Sequence, residues 1–356
     1  MGMTKLMKQN TIKRVLFILI VLSGSLFSRT NAQDVQFSQF YAVTPFINPA
    51  FAGGAGALRA MIHGRYQWPG LDARYVTGLV SVDNYFHKYN SGLGGYILQD
   101  QQGLSDMVST NVNLLYSYEL TLTKQVSVRA GLQGGYNSTS INYEHLYYPS
   151  QIDQTTGQTP TQGIGLPSSR KQYFDVGSGL LVYSSRLWGG VSAHHMNQPS
   201  NSFYDDPNAV LPVLWDVIGG VKIPIRSGGH MAYLHEEDNI FLTPTAHYKA
   251  QGKSDQMDIG LYLTYNQFMI GAWYRGLPLK QYQSLPNSES MVFNIGWLYN
   301  DWSFGYSYDL TVSKLARSGT GGAHEINITY THHKSNKHKT MKRLPCPDFY
   351  RPNKHQ

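Results

Sequence analysis

The sequence predicts an all-β fold: a transmembrane outer-membrane β-barrel of about fourteen antiparallel strands, with an N-terminal plug-like segment and a periplasmic C-terminal tail. Three observations carry this reading. Apolar residues recur with period 2, the spacing at which side chains share one face of a strand. The intervening positions are rich in Gly, Ser, Asn and Thr with few charges, which suits a lumen better than the charged outer face of a soluble sandwich. Over the second half of the chain, short and long connections alternate, as they do when one end of a barrel carries tight turns and the other carries surface loops.

Composition bounds the alternatives. Of 356 residues, 35 are Gly, 26 Tyr, 14 Phe and 6 Trp, and only 14% are charged, against about 25% in soluble domains. A mean hydropathy of −0.33 argues against a bundle of membrane helices, each of which needs about 20 consecutive apolar residues. A single Cys excludes a disulfide scaffold and any multi-Cys zinc or iron–sulfur site. The net charge of +7 does not describe the body. Residues 1–32 hold five basic and no acidic side chains, and residues 331–356 hold seven basic and one acidic. The stretch 34–330 between them has 17 basic and 21 acidic residues, so a nucleic-acid partner is unsupported.

Residues 1–32 read as a signal peptide. Lys5, Lys8, Lys13 and Arg14 precede an apolar run of eight, Val15 to Leu22, too short to span a bilayer. Thr30 and Ala32 supply the small residues that favour cleavage after Ala32. Residues 33–55 read as a plug or floor. Pro45 and Pro49 cannot donate ladder bonds, and Phe37, Phe40, Tyr41, Phe46 and Phe51 offer aromatic anchors.

The barrel is placed over 56–332, with strands expected near 56–66, 72–82, 91–100, 107–119, 125–137, 173–183, 186–195, 211–223, 239–249, 255–265, 267–275, 289–299, 302–310 and 322–332. Val112, Leu114, Tyr116 and Tyr118 share one face opposite Asn111, Asn113, Ser117 and Glu119. Ile326, Ile328 and Tyr330 alternate in the same way with Glu325, Asn327 and Thr329. Tyr66, Trp68, Trp297, Tyr299 and Trp302, at strand ends, match interface girdles. Ser184-Ser185, Asn266 and Asn300-Asp301 are expected tight turns; 138–172, 196–210, 276–288 and 311–321 are expected long loops. Two connections break the rule, the short 67–71 and the long 224–238.

Residues 333–356 form a separate basic element, expected in the periplasm, where Lys342, Arg343, Pro345, Cys346, Pro347 and Phe349 read as a docking peptide for a partner. The flanking prolines forbid helix through Cys346. In an oxidising compartment that thiol could pair with a partner's or stay free.

Two motifs carry a family resemblance. The first is Gln33-Asp34-Val35-Gln36-Phe37-Ser38-Gln39-Phe40-Tyr41 followed by Pro45-Phe46-Ile47-Asn48-Pro49-Ala50-Phe51-Ala52-Gly53. The second is Tyr308-Asp309-Leu310-Thr311-Val312-Ser313 followed by Gly322-Ala323-His324-Glu325-Ile326. Together they resemble the PorP/SprF family of type IX secretion membrane proteins, with Val35 in place of a usual proline and Phe51 in place of a usual tyrosine. The resemblance implies an outer-membrane barrel of gliding or type IX-secreting Bacteroidetes. Such a barrel assists export or surface anchoring of cargo such as large adhesins, and meets periplasmic secretion and gliding subunits. Asn48-Pro49-Ala50 is also similar to the plug motif of long-chain fatty-acid transport barrels, which implies a second reading: a plugged barrel passing hydrophobic small molecules. A soluble all-β lipid- or sugar-binding protein is a third.

No G-x-S-x-G, P-loop or H-E-x-x-H occurs, so neither an enzyme nor a cofactor site is expected. The pairs His194-His195 and His332-His333 alternate faces on strands and are expected at the rim or in solvent rather than on a metal. Glu236-Glu237-Asp238 lacks the ligand spacing of a Ca²⁺ loop. The partners expected are secreted cargo, periplasmic subunits and membrane lipid.

Overall fold

Alternation with period 2 becomes a wall with two chemically opposite surfaces. The computed structural model describes residues 34–103, 107–142, 169–204, 206, 208–226, 240–282, 285–313, 319–332 and 346. The chain divides into two units, 1–34 and 35–356, and the architecture belongs to the second. Residues 1–32, expected to be a signal peptide, together with Gln33, Glu236-Glu237-Asp238 and the tail apart from Cys346, lie outside the described residues.

The strands are β1 (Leu58–Gln67), β2 (Arg74–Phe86), β3 (Ser91–Gly103), β4 (Met107–Thr121), β5 (Ser127–Ser140), β6 (Arg170–Tyr183), β7 (Leu187–His194), β8 (Leu214–Val221), β9 (Ile223–Arg226), β10 (Ile240–Gln251), β11 (Ser254–Tyr265), β12 (Phe268–Tyr282), β13 (Leu285–Tyr299), β14 (Trp302–Thr311) and β15 (Ala323–His332). β8 and β9 are interrupted only at Lys222 and both pair with β10. They are two pieces of one stave, so fifteen strands build fourteen staves. Every neighbouring pair is antiparallel, and β1 pairs with β15 over ten register positions from Leu58↔His332 to Gln67↔Ala323. The sheet therefore has no lateral edge, which meets the backbone's hydrogen-bond needs where lipid offers no partner.

The exposed surface of the wall is apolar, and the buried one mixes polar and charged groups with apolar side chains such as Leu79, Leu98, Leu115 and Trp273. In β4, Val112, Leu114, Tyr116 and Tyr118 face out, with Leu114 73% exposed, while Asn113, Ser117 and Glu119 are buried. The same holds for Ile326 against Glu325 and Asn327 in β15. This inversion of a soluble protein's surface is what a bilayer selects. Aromatic rings collect where strands turn: Trp302 lies 4.9 Å from Tyr330 and Trp297 lies 5.4 Å from Tyr299. Among the described residues no helix is long and apolar enough to cross a membrane.

The connections depart from the expected pattern in two places. The stretch 276–288 is not a loop. β12 and β13 stay paired out to Tyr282↔Leu285, across register shifts at Arg275/Gly276 and between Leu277 and Gln281. Bulges absorb the residues that read as loop-formers. The short 67–71 is secured from outside itself, since the Trp68 amide donates to the Gly322 carbonyl at 2.7 Å and the Gly70 amide to the Thr320 carbonyl at 2.9 Å. It is thereby bound to the β14–β15 connection. The end that carries the β4–β5, β6–β7, β11–β12 and β13–β14 turns is called the short-turn end below.

Candidate functional site

The inner segment Val35–Gly53 touches inward-facing side chains of strands all around the wall. Its backbone folds locally. The Ala42 and Val43 amides donate to the Gln39 carbonyl, and one helical turn, α1 (Thr44–Ile47), follows with Pro45 near its start, where a missing N–H costs nothing. Asn48 ends α1 and caps a 3₁₀ turn over Pro49–Phe51, its Oδ1 accepting from the Ala50 amide at 2.9 Å.

Aromatic side chains anchor the segment to several strands of the wall. The Phe40 ring lies 5.4 Å from Trp273 and 5.6 Å from His247. Tyr41 lies 5.9 Å from Trp273 and accepts a 2.7 Å hydrogen bond from the Asn294 side chain. Phe37 meets His63 at 4.7 Å and Phe46 at 5.2 Å, and Phe51 meets Trp188 at 6.4 Å. Each such pair is worth about 0.5–1.5 kcal/mol beyond the area it buries.

A buried charge cluster holds Ser38 and Gln39. The two Glu325 carboxylate oxygens accept from the Ser38 amide at 2.6 Å and the Gln39 amide at 2.9 Å. Arg65 Nη1 donates to Glu325 and, at 3.0 Å, to Asp309. Arg275 bridges Asp258 at 3.0 Å and Asp309 at 2.9 Å. The Ser38 hydroxyl donates to Asp309 at 2.6 Å and accepts from Arg65 and Arg275, each at 2.9 Å. His63 Nε2 stands 3.3 Å from Glu325. Charges this buried survive only when mutually paired and hydrogen-bonded, and the inner segment supplies part of that pairing.

The Asn48-Pro49-Ala50 turn is gripped by backbone. Asn48 Nδ2 donates to the Leu180 and Val191 carbonyls, both at 3.2 Å. The Ile47 carbonyl accepts from the Ser192 hydroxyl at 2.6 Å and lies 2.9 Å from His194 Nε2. The wall must be bare here. A β-carbon at Gly179 would lie 2.0 Å from Asn48 Oδ1, and one at Gly131 would lie 2.2 Å from the Ala50 nitrogen. At the short-turn end the Gly53 amide donates to Asp83 at 2.7 Å, and Asp83 pairs with Arg59 at 2.8 Å. The Ala52 carbonyl accepts from Ser117 at 2.7 Å and from Arg129.

Phe37, Gln39, Asn48, Pro49, Ala50, Phe51 and Gly53 therefore converge inside the wall; Gln33 lies outside the described residues. The second motif is divided by the pleat. Asp309 and Glu325 reach the charge cluster, while Tyr308 and His324 pair on the other surface with ring centroids 5.0 Å apart. Of the tail motif, Lys342, Arg343, Pro345, Pro347 and Phe349 lie outside the described residues. Cys346, the one tail residue among those described, is a free and buried thiol. His194 differs from expectation. It is a buried ligand of the Ile47 carbonyl rather than a rim residue, because the inner segment comes to its face of β7. His195, on the opposite face, bonds Asp175 at 2.9 Å.

Sequence reasoning missed Arg65, Arg129, Arg275, Asp258, Asp83, His63, Gly131 and Gly179. Their signal was present as charges and glycines at inward positions of strands, since a buried charge requires a partner. Among the described residues no three His, Cys, Asp or Glu side chains come together as a metal centre needs.

A family model described as type IX secretion system membrane protein PorP/SprF matches residues 29–330. No curated protein matches the chain. Among solved structures, the chain is similar to the Ralstonia pickettii toluene transporter TbuX, at 11% identity and TM-score 0.45, over 82% of this chain and 94% of that one. It is similar to the Acinetobacter baumannii outer membrane protein Omp33, at 8% identity and TM-score 0.43, over 78% and 100%. A Pseudomonas aeruginosa FadL homologue aligns at 12% identity and TM-score 0.42, over 82% and 94%.

Proposed function

Since the chain belongs to the PorP/SprF family of type IX secretion system membrane proteins, we propose that it serves that system as an outer-membrane platform. In this role it anchors a secreted cargo such as a large adhesin at the surface, or assists its export. The outer connections 138–172 and 196–210 meet the cargo, and the basic tail meets periplasmic secretion and gliding subunits. Segment 33–55 acts as a plug rather than a free leader.

The observation that supports this reading is the inner segment. Its backbone is hydrogen-bonded to Asp83, Ser117, Ser192 and Glu325 on four separated strands. A lumen occupied in this way is a poor path for a polypeptide and a rigid base for outer loops. The ion-paired lining formed by Arg65, Arg275, Asp258, Asp309 and Glu325 favours this reading over passage of hydrophobic small molecules. An apolar solute gains nothing beside charged groups that it would have to desolvate.

Deleting the gene is the direct test. Surface display of one adhesin should be lost while other outer-membrane barrels assemble normally. Unchanged display of every secreted surface protein would overturn the proposal.

A further inference from the structure

The inner segment has a direction that is opposite to what its neighbour β1 suggests. Its carboxyl end feeds β1, which starts at the short-turn end with Leu58. Gly53 is held near that end, by Asp83, three residues before the last residue of β2. Toward the amino end, the partners lie at the other end of the wall. Ser38 is bonded to Asp309 and Glu325, two residues before the end of β14 and two after the start of β15. The Val35 carbonyl accepts from Lys249 Nζ at 3.1 Å, two residues before the end of β10. In the orientation that satisfies its neighbours, the Gln36 amide donates to Gln256 Oε1 at 2.8 Å and accepts from Arg275 Nε at 2.6 Å. Gln256 is two residues after the start of β11. These four strand ends all lie opposite the short turns.

Exposure follows the same gradient. Every residue from Phe37 to Pro45 is buried, whereas Val35 and Gln36 are half-buried, as are Lys249 and Gln256 beside them. The segment thus comes into the open at the long-loop end. In outer-membrane barrels that end faces the outside and the short turns face the periplasm.

We propose that the amino end of the inner segment, Val35 and Gln36 with Lys249 and Gln256, is a cell-surface element that touches the secreted cargo polypeptide. This rests on the platform role proposed above. Two carboxamides and an ammonium offer donors and acceptors to main-chain and polar groups of a polypeptide, and little to an apolar solute. The plug is then part of the surface that cargo meets, rather than only a stopper beneath it.

The test uses the full chain in intact cells, in a Cys346→Ser background, with and without the adhesin whose display depends on the barrel. Without the adhesin, Val35→Cys should react from outside with a membrane-impermeant maleimide. Lys253→Cys, in the exposed β10–β11 turn, should react in the same way. Lys124→Cys, in the exposed β4–β5 turn, should react only after the outer membrane is permeabilised. With the adhesin displayed, labelling at position 35 should slow at least fivefold. Gln36→Cys takes the place of Val35→Cys if the latter does not assemble. Failure of position 35 to react from outside would overturn the proposal, as would an exchange of behaviour between positions 253 and 124. Equal rates with and without the adhesin would overturn the contact with cargo. The platform role is read separately, from adhesin display in the barrel deletion strain.

Discussion

Arg65 and Glu325 are register partners across the seam where the first strand meets the last, and their side chains form an ion pair on the inner surface. The same carboxylate accepts both the Ser38 and Gln39 amides. Closure of the wall and capture of the inner segment thus share a single side chain, which makes its removal informative.

Glu325→Ala should destabilise the barrel by about 3–5 kcal/mol, the cost of leaving a buried cation such as Arg65 uncompensated. Glu325→Gln should cost less, because the amide oxygen can still accept from Ser38 or Gln39. The readout is the temperature at which the folded form is lost from a heat-modifiability gel. Equal temperatures for wild type and Glu325→Ala would show that the seam does not depend on this pair.

The fit between Gly179 and Asn48 predicts a coupling. Gly179→Ala places a methyl 2.0 Å from Asn48 Oδ1 and should cost about 1–3 kcal/mol by overpacking. Asn48→Ala removes the obstacle but loses a cap worth about 1 kcal/mol. In urea titrations of the reconstituted protein, the double variant should be less destabilised than the sum of the two single variants. Strict additivity would mean that the two groups do not meet.

Removal of residues 35–53 should open the lumen. In planar bilayers the shortened protein should conduct ions in steps well above those of the full chain. Matching currents from both would show that the segment does not obstruct the path.

The reactivity of Cys346 should depend on pH in a defined direction. The Cys346 value rises from 9.0 to about 11 in the folded protein. The folded form therefore holds its proton more tightly than the unfolded chain does. The associated stabilisation is complete below pH 9.0 and is lost as pH rises through about 11. Alkylation by iodoacetamide should accordingly begin near pH 11, two units later than for the denatured protein. An onset near 9 would place the thiol in water.

The wall was legible in the sequence because lipid imposes a rule on consecutive residues. Leu114 and Tyr116 alternate with Asn113 and Ser117 whatever the rest of the chain does, and strand positions follow from that local pattern. The charge cluster was not legible, because Arg65, Asp258, Arg275, Asp309 and Glu325 are neighbours only through closure and register. Nothing local to Glu325 names Arg65 as its partner, 260 positions away. The β12–β13 hairpin was misjudged for a related reason. Gly276 and the polar stretch after it resemble a loop in isolation, yet antiparallel pairing tolerates them through bulges. Asn48, Pro49 and Ala50 stood out as a motif, but the bare wall positions at Gly131 and Gly179 that receive them looked like ordinary barrel glycines.

The tie between Ser38 and Glu325 spans 287 positions of sequence, and this sets an order of events. Contacts of such separation form late, after the intervening chain has been brought together. The first residues of the inner segment thus gain their partner only when β15 has been inserted beside β1. A chain that stalls before its last strand leaves Ser38 and Gln39 unheld and Arg65 without its counter-ion. The amino end in this way registers whether the carboxyl end has arrived, and a truncated or misinserted copy would present a loose leader to the proteases of its compartment.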